Sequence, residues 1–177
     1  MTFELVKIPE EKLEDRITSY LKDSLKVKIA VSFCFESGLD LIYQNLKDFK
    51  NIENLSFITS NYLNCTEPRA LEKLILLKEK GAKIFLYDSL ESKRGFHIKS
   101  FAFSNKEENF YRLLVGSSNL SGSAFNYNFE LNTVTSDKSS HDSYEEYFDS
   151  LVSNNYTKPL TNEIIEKYKI NYSKENN

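Results

Sequence analysis

A histidine and a lysine stand two residues apart in the run Phe96-His97-Ile98-Lys99, and Gly116-Ser117-Ser118-Asn119 and then Glu130 follow downstream. On a β-strand, side chains two apart point to the same face, so His97 and Lys99 can act on one ligand. A turn after the next strand can bring the Asn119 amide to the same place. The set offers a nucleophile or proton carrier, a fixed positive charge and a hydrogen-bond donor, which together suit a phosphate diester. Lys99 is the most telling member. The run 96–103 is apolar apart from His97, Lys99 and Ser100. A lysine buried there is costly unless an anion answers it, and a phosphate is such an anion.

Taken singly, each residue is ordinary. Ser117-Ser118-Asn119 reads as a turn or helix cap, and Glu130 sits between Phe129 and Leu131 as a solvent-facing carboxylate would. Their convergence on neighbouring strands and turns is what carries weight. Lys93 and Arg94 lie just before His97 and are placed to reach a phosphate backbone, whereas Lys73, Lys78, Lys80 and Lys83 read as a solvated helix end. His141 lies in a polar helix-start segment and reads as a surface histidine. Other chemistries fit less well. Gly116-Ser117-Ser118-Asn119-Leu120 lacks the second glycine of a serine-hydrolase elbow. There is no P-loop glycine pattern, no Cys/His cluster with zinc spacing, and no group of carboxylates near His97 for a two-metal site.

The elements that must position these residues follow from periodicity. Pro9 opens a helical pattern with Leu13, Ile17, Tyr20 and Leu21 on one face. Val27, Ile29, Val31, Phe33 and Phe35 alternate as a strand. Ser37 is placed to cap a helix carrying Leu39, Ile42, Leu46 and Phe49. A short strand at 55–59 precedes a helix that starts near Pro68 and stops at Gly81, and 83–87 is the next strand. Residues 96–103 and 110–115 then pair as a hairpin across the polar loop 104–109. Asn119 or Ser121 caps a short helix through Phe125, 129–134 forms another strand, and 142–152 is a helix bearing Tyr144, Tyr147, Phe148 and Leu151. The tail from Ser173 is polar and reads as frayed. The βαβαβ order predicts an α/β fold: a mixed, largely parallel sheet flanked by helices.

The chain has 177 residues, which favours one domain. That domain divides into an N-terminal helix (1–25), a core (26–152) and a C-terminal extension (153–177). With 13 Phe and 11 Tyr it can build a real core and is not disordered. A net charge of −3 excludes a strong whole-surface attraction to nucleic acid or anionic membrane, though not a local basic site. Apolar runs are only strand-sized, so no membrane span is expected, and the N-terminus lacks the apolar core of a signal peptide. Cys34 and Cys65 read as reduced thiols of a cytoplasmic protein.

His97-x-Lys99, Gly116-Ser-Ser-Asn119 and Glu130 resemble the HKD signature of the phospholipase D superfamily, and within it the nuclease-like branch. Thr66-Glu-Pro-Arg-Ala-Leu-Glu-Lys-Leu, Phe96-His-Ile-Lys-Ser-Phe-Ala-Phe, Leu114-Val-Gly-Ser-Ser-Asn-Leu-Ser-Gly-Ser-Ala-Phe and Phe129-Glu-Leu-Asn resemble the phospholipase D-like domain at the front of some bacterial DEAD/DEAH helicases. Similar domains occur in certain restriction endonucleases. The resemblance runs from about Val27 to Val134. It departs at Ser104, where the superfamily pattern has an aspartate; nuclease-like members often lack it.

The resemblance implies a phospholipase D/nuclease-like fold and a metal-independent phosphodiesterase that needs no cofactor. It implies that His97 attacks phosphorus to give a phosphohistidine. Lys99 and Asn119 would hold the phosphoryl oxygens, with Ser117 in support and Ser118, Lys93 and Arg94 at the substrate. Glu130 would orient the imidazole, as a carboxylate orients histidine in a triad. A second histidine must protonate the leaving oxygen. Since the chain has one HxK, the resemblance implies a two-fold homodimer with a shared site. DNA is the implied substrate, with Tyr62, Tyr111, Tyr127 and Phe125 available to stack on bases. The implied further partner is a helicase or restriction-system protein, with no membrane. Two other readings stay open: a non-catalytic DNA-binding or dimerisation module, and a lipid phosphodiesterase.

Overall fold

The computed structural model describes residues 3–175. In chain order the elements are β1 (Phe3–Ile8), α1 (Leu13–Lys22), β2 (Lys26–Val31), α2 (Glu36–Lys47), β3 (Leu55–Ser60), α3 (Pro68–Glu79), β4 (Lys83–Tyr87), α4 (Ser89–Ser92), β5 (Lys99–Asn105), β6 (Phe110–Gly116), α5 (Gly122–Asn126), β7 (Glu130–Thr135), α6 (Lys138–Val152), β8 (Thr157–Pro159) and α7 (Asn162–Glu175). The strands form one 8-stranded sheet in the order β1-β7-β6-β5-β2-β3-β4-β8.

Strand alternation divides the core into two layers. On β5, Phe101 and Phe103 join one cluster with Val27, Ile29 and Val31 of β2, Leu39 and Ile42 of α2, and Leu71 and Leu74 of α3. Ala102 points the other way and meets Ala30, Leu113, Tyr144 and Phe148, the last two from α6. Helices thus cover the sheet from both sides, as expected of a mixed α/β sheet.

The sheet is less parallel than the sequence predicts. Only β2–β3 and β3–β4 run parallel. β5 pairs antiparallel with β2, and β6, β7 and β1 continue antiparallel beyond it, while β8 pairs antiparallel with β4. The crossover helices α2 and α3 force parallel pairing, whereas the β5–β6 hairpin cannot provide it. The N-terminal segment is not a helix alone: residues 3–8 form edge strand β1, and Pro9 lies in a turn before α1. The C-terminal extension after 153 is packed on the core. β8 adds to the sheet, and α7 packs on α3 with the Tyr168 hydroxyl donating to the Thr66 carbonyl at 2.7 Å. The tail expected to fray from Ser173 continues helical to Glu175, and its last two residues lie outside the described ones.

Helix α6 begins four residues earlier than expected, capped by the Asp137 carboxylate, which accepts from the Ser140 amide at 2.8 Å. That extra turn corrects the reading of His141. It falls three residues before Tyr144 and seven before Phe148 on the inward face, and is buried with its ring 5.4 Å from Tyr111. Burial lowers its pKa.

Candidate active site

The site lies beyond the carboxyl ends of the parallel strands, where loops of an α/β sheet commonly gather ligand-binding groups. β2 ends at Val31, and the next residues, Ser32 and Phe33, leave the sheet. β5 starts at Lys99 opposite Val31, so His97 precedes the strand proper. The ladder still extends one step, because the Ser32 amide donates to the Ile98 carbonyl at 2.7 Å. His97 and Lys99 share a face as expected: the imidazole lies 6.1 Å from the Phe33 ring, and Lys99 Nζ lies 5.8 Å from the same ring.

Lys99 is 6% exposed. Its Nζ donates to Ser32 Oγ and the His97 carbonyl, each at 3.4 Å, and it has no ion-pair partner among the described residues. Burial pushes its pKa down, and the nearby Glu130 carboxylate opposes that shift. Ser32 holds the ammonium from a fixed position, because its own hydroxyl donates to the Phe96 carbonyl at 2.7 Å. Beneath it, Thr59, Ser60 and Thr66 form a buried hydroxyl network: Ser60 Oγ donates to Ser32 O at 3.0 Å and Thr66 Oγ1 to Ser60 O at 2.8 Å. His97 is exposed, and its imidazole makes ring contacts but no hydrogen bond among the described residues.

The second half of the site comes from the turn after β6. Gly116 pairs with Asn132 across the sheet so closely that a Cβ there would collide with the asparagine. Asn132 then locks the turn. Its Nδ2 donates to Ser118 Oγ at 2.9 Å, and its Oδ1 accepts from the Ser118 amide at 3.3 Å. The turn is also stitched to the loop after β2: the Leu120 amide donates to Phe33 O at 3.2 Å and the Phe35 amide to Leu120 O at 2.9 Å. Ser121, not Asn119, caps α5, its hydroxyl accepting from the Ala124 amide at 3.1 Å. Asn119 is therefore left free of capping. It is half-buried, and among the described residues its side-chain amide, the Nδ2 donor included, makes no hydrogen bond. An amide not consumed by the fold is what a ligand-binding asparagine requires.

Ser117 Oγ donates to Glu130 Oε2 and accepts from the Leu131 amide at 3.1 Å. Glu130 thus meets Ser117 here and not the imidazole. Ser118 is fully buried, with its hydroxyl used inside the turn. Its position makes it scaffold, in place of the substrate contact expected of it. Lys93 and Arg94 are exposed on the loop between α4 and His97. Of the aromatics expected to stack on bases, Tyr111 and Phe125 are core residues at 4% and 0% exposure, so that role falls away for them. Tyr127 is 78% exposed, and Phe129, assigned from sequence to a strand, is 96% exposed one residue before Glu130.

The sequence does not single out Ser32, Phe33 or Asn132 as parts of the site, and Tyr62, expected to stack on bases, packs beside His97. The one signal is Ser32, a polar residue interrupting the otherwise apolar run 29–35. Among the described residues no three of His, Cys, Asp or Glu cluster as metal ligands. Neither Cys34 nor Cys65 is in a disulfide, and among the described residues no helix is long and apolar enough to cross a membrane.

A mixed sheet with HxK, GSxN and a following glutamate gathered at one end defines a phospholipase D-type fold. The chain belongs to that family: the family described as cardiolipin synthase, PLD-like domain matches residues 26–152. Among solved structures, the fold is similar to NucT from Helicobacter pylori (20% identity, TM-score 0.66, covering 86% of this chain and 96% of that one). It is similar also to Nuc from Salmonella typhimurium, a phospholipase D family member (14% identity, TM-score 0.65, 89% and 97% covered). Phosphatidylserine synthase from Haemophilus influenzae Rd KW20 shares the fold at 13% identity and TM-score 0.65, but this chain, 98% covered, spans only 42% of it. No curated protein matches by sequence.

Proposed function

We propose that this chain is a phosphodiesterase that cleaves DNA without a metal, through a phosphohistidine, at a site shared by two copies. The observation that carries the reading is Lys99: a buried ammonium without a carboxylate partner, set beside an exposed histidine. An unanswered buried cation is costly to the fold, and a phosphate diester would answer it. In this mechanism an imidazole nitrogen of His97 attacks phosphorus and the P–O bond to the leaving group breaks. Lys99 neutralises a non-bridging oxygen, and the Asn119 amide donates to the same phosphoryl group. The His97 of a second copy gives its proton to the leaving oxygen, then takes one from the water that releases the phosphohistidine.

One feature favours DNA over lipid: the residues resemble the nuclease-like branch. Lys93 and Arg94, exposed beside His97, would contact the backbone on either side of the scissile phosphate. In the same reading the chain is the cutting module of a helicase or restriction system.

The test is cleavage of bis-p-nitrophenyl phosphate and of plasmid DNA in excess EDTA, with His97→Ala alongside and sedimentation to give the oligomeric state. EDTA-resistant cleavage by a dimer, lost in His97→Ala, is the expected result. Cleavage that survives His97→Ala, or full activity in a monomer, would overturn it.

A further inference from the structure

Among the described residues the His97 ring has no hydrogen-bond partner, and Glu130 accepts from Ser117. A nucleophilic imidazole whose ring turns freely presents its nitrogen to phosphorus only part of the time. The structure supplies a different restraint. The Phe33 ring stands at 75° to the imidazole with centroids 6.1 Å apart, and the Tyr62 ring at 82° and 6.4 Å. The two aromatic rings lie nearly parallel to one another, 18° apart in plane and 6.1 Å between centroids. The imidazole is thus edge-related to two rings that themselves form a stacked pair, within the range at which aromatic pairs attract.

That pair is held from below. Tyr62 opens a short 3-10 turn directly after β3, and its amide donates to Ser60 Oγ at 3.3 Å. Its ring is half-buried against the cluster that contains Ile58 and Phe96. On the loop that leads to His97, Gly95 leaves room for the ring: a Cβ there would come within 2.9 Å of Tyr62 Cζ. Phe33 follows Ser32, the residue that also holds Lys99. The loop after β2 therefore holds the ammonium and supplies one of the two rings that pack on the same side of the imidazole.

From this geometry we infer that Phe33 and Tyr62 are positioning residues for His97, setting the imidazole's orientation by ring packing. Neither touches the reacting atoms. The contribution is the ring of Tyr62, not its hydroxyl, for which no hydrogen bond is needed. The kinetic part rests on the phosphodiesterase reading; the positional part does not.

The experiment is built so that the two can fail separately. The chain has 2 histidines, so NMR of the imidazole protons needs only His97→Ala to assign both. Tyr62→Leu is expected to move and broaden the His97 ring resonances, leave those of the buried His141 in place, and lower kcat about tenfold with KM held. Tyr62→Phe, which keeps the ring, restores both. The unmoved His141 resonances report that the fold survives, and Phe33→Leu gives the same pattern through the other wall. Unchanged His97 resonances in Tyr62→Leu would overturn the inference, as would a rise in KM at constant kcat, which would make Tyr62 a substrate contact. If the wild type cleaves nothing, the resonances still decide the positional claim, and only the catalytic reading falls.

Discussion

Two buried lysines sit on adjacent strands of this sheet, and the fold treats them differently. Lys28 on β2 and Lys99 on β5 lie, by register, on opposite faces. Lys28 Nζ donates to Asp149 Oδ1 at 2.6 Å and to the Glu145 carbonyl at 3.4 Å, both on α6, and stands 5.1 Å from the Phe148 ring centroid. Its charge is answered within the chain. Lys99 has a hydroxyl, a carbonyl and a ring around it, but no carboxylate bonded to it. Equal burial therefore serves two ends. One ammonium ties a helix to the sheet. The other is held solvent-poor and unpaired at the rim, where an arriving anion would be its counter-charge.

Breaking each lysine in turn sharpens the contrast. The largest effect is expected from Lys99→Met, which keeps the length of the side chain and removes the charge. Reporter cleavage should fall by about a hundredfold or more, the scale set by loss of one charged transition-state contact, while the melting temperature holds or rises. A melting temperature that drops with activity would make Lys99 structural. Asp149→Ala should do the opposite. It strips Lys28 of its carboxylate, and because Asp149 is itself 67% exposed the cost in a urea titration should be only about 1–2 kcal/mol, with cleavage unchanged. The smallest effect is in pH dependence. Burial holds the Lys99 pKa below 10.5, so between that lowered value and 10.5 the unfolded chain binds more protons than the folded one. Wild-type stability should therefore gain on Lys99→Met as pH climbs through that window, and the gain should shrink when inorganic phosphate is present to pair with the charge. Parallel urea midpoints for the two proteins across the window would show that Lys99 is not buried as a cation.

The sequence was most readable where one side chain's identity settles its role. His97, Lys99, Asn119 and Glu130 stand out as candidates by type and spacing, β2 by alternation, and β3, β4, β5 and β6 by short β-like runs. What escaped notice depends on contacts far apart in the chain. β1 exposes Phe3 and Leu5 and buries only Val6 and Ile8, so its pattern is half that of a core strand. β8 is three residues at an edge and ends in Pro159, too short to announce itself. His141 looked polar because its neighbours are; one additional helical turn set by Asp137 rotates it inward. Ser118 has the same type as Ser117, yet only the partner Asn132, 14 residues away, decides that one is buried and the other faces the site. Phe33 and Tyr62 read as strand and loop aromatics because nothing local says that His97 will come to rest beside both.

The hydrogen bonds that tie Leu120 to Phe33 and Phe35 have a consequence for the thermodynamics of capture. They make the Asn119 turn and the Phe33 wall one piece of backbone, so a phosphate diester entering between them orders almost nothing that folding has not ordered already. Its association would then be governed by desolvation of Lys99 and of the anion, with little conformational entropy left to lose.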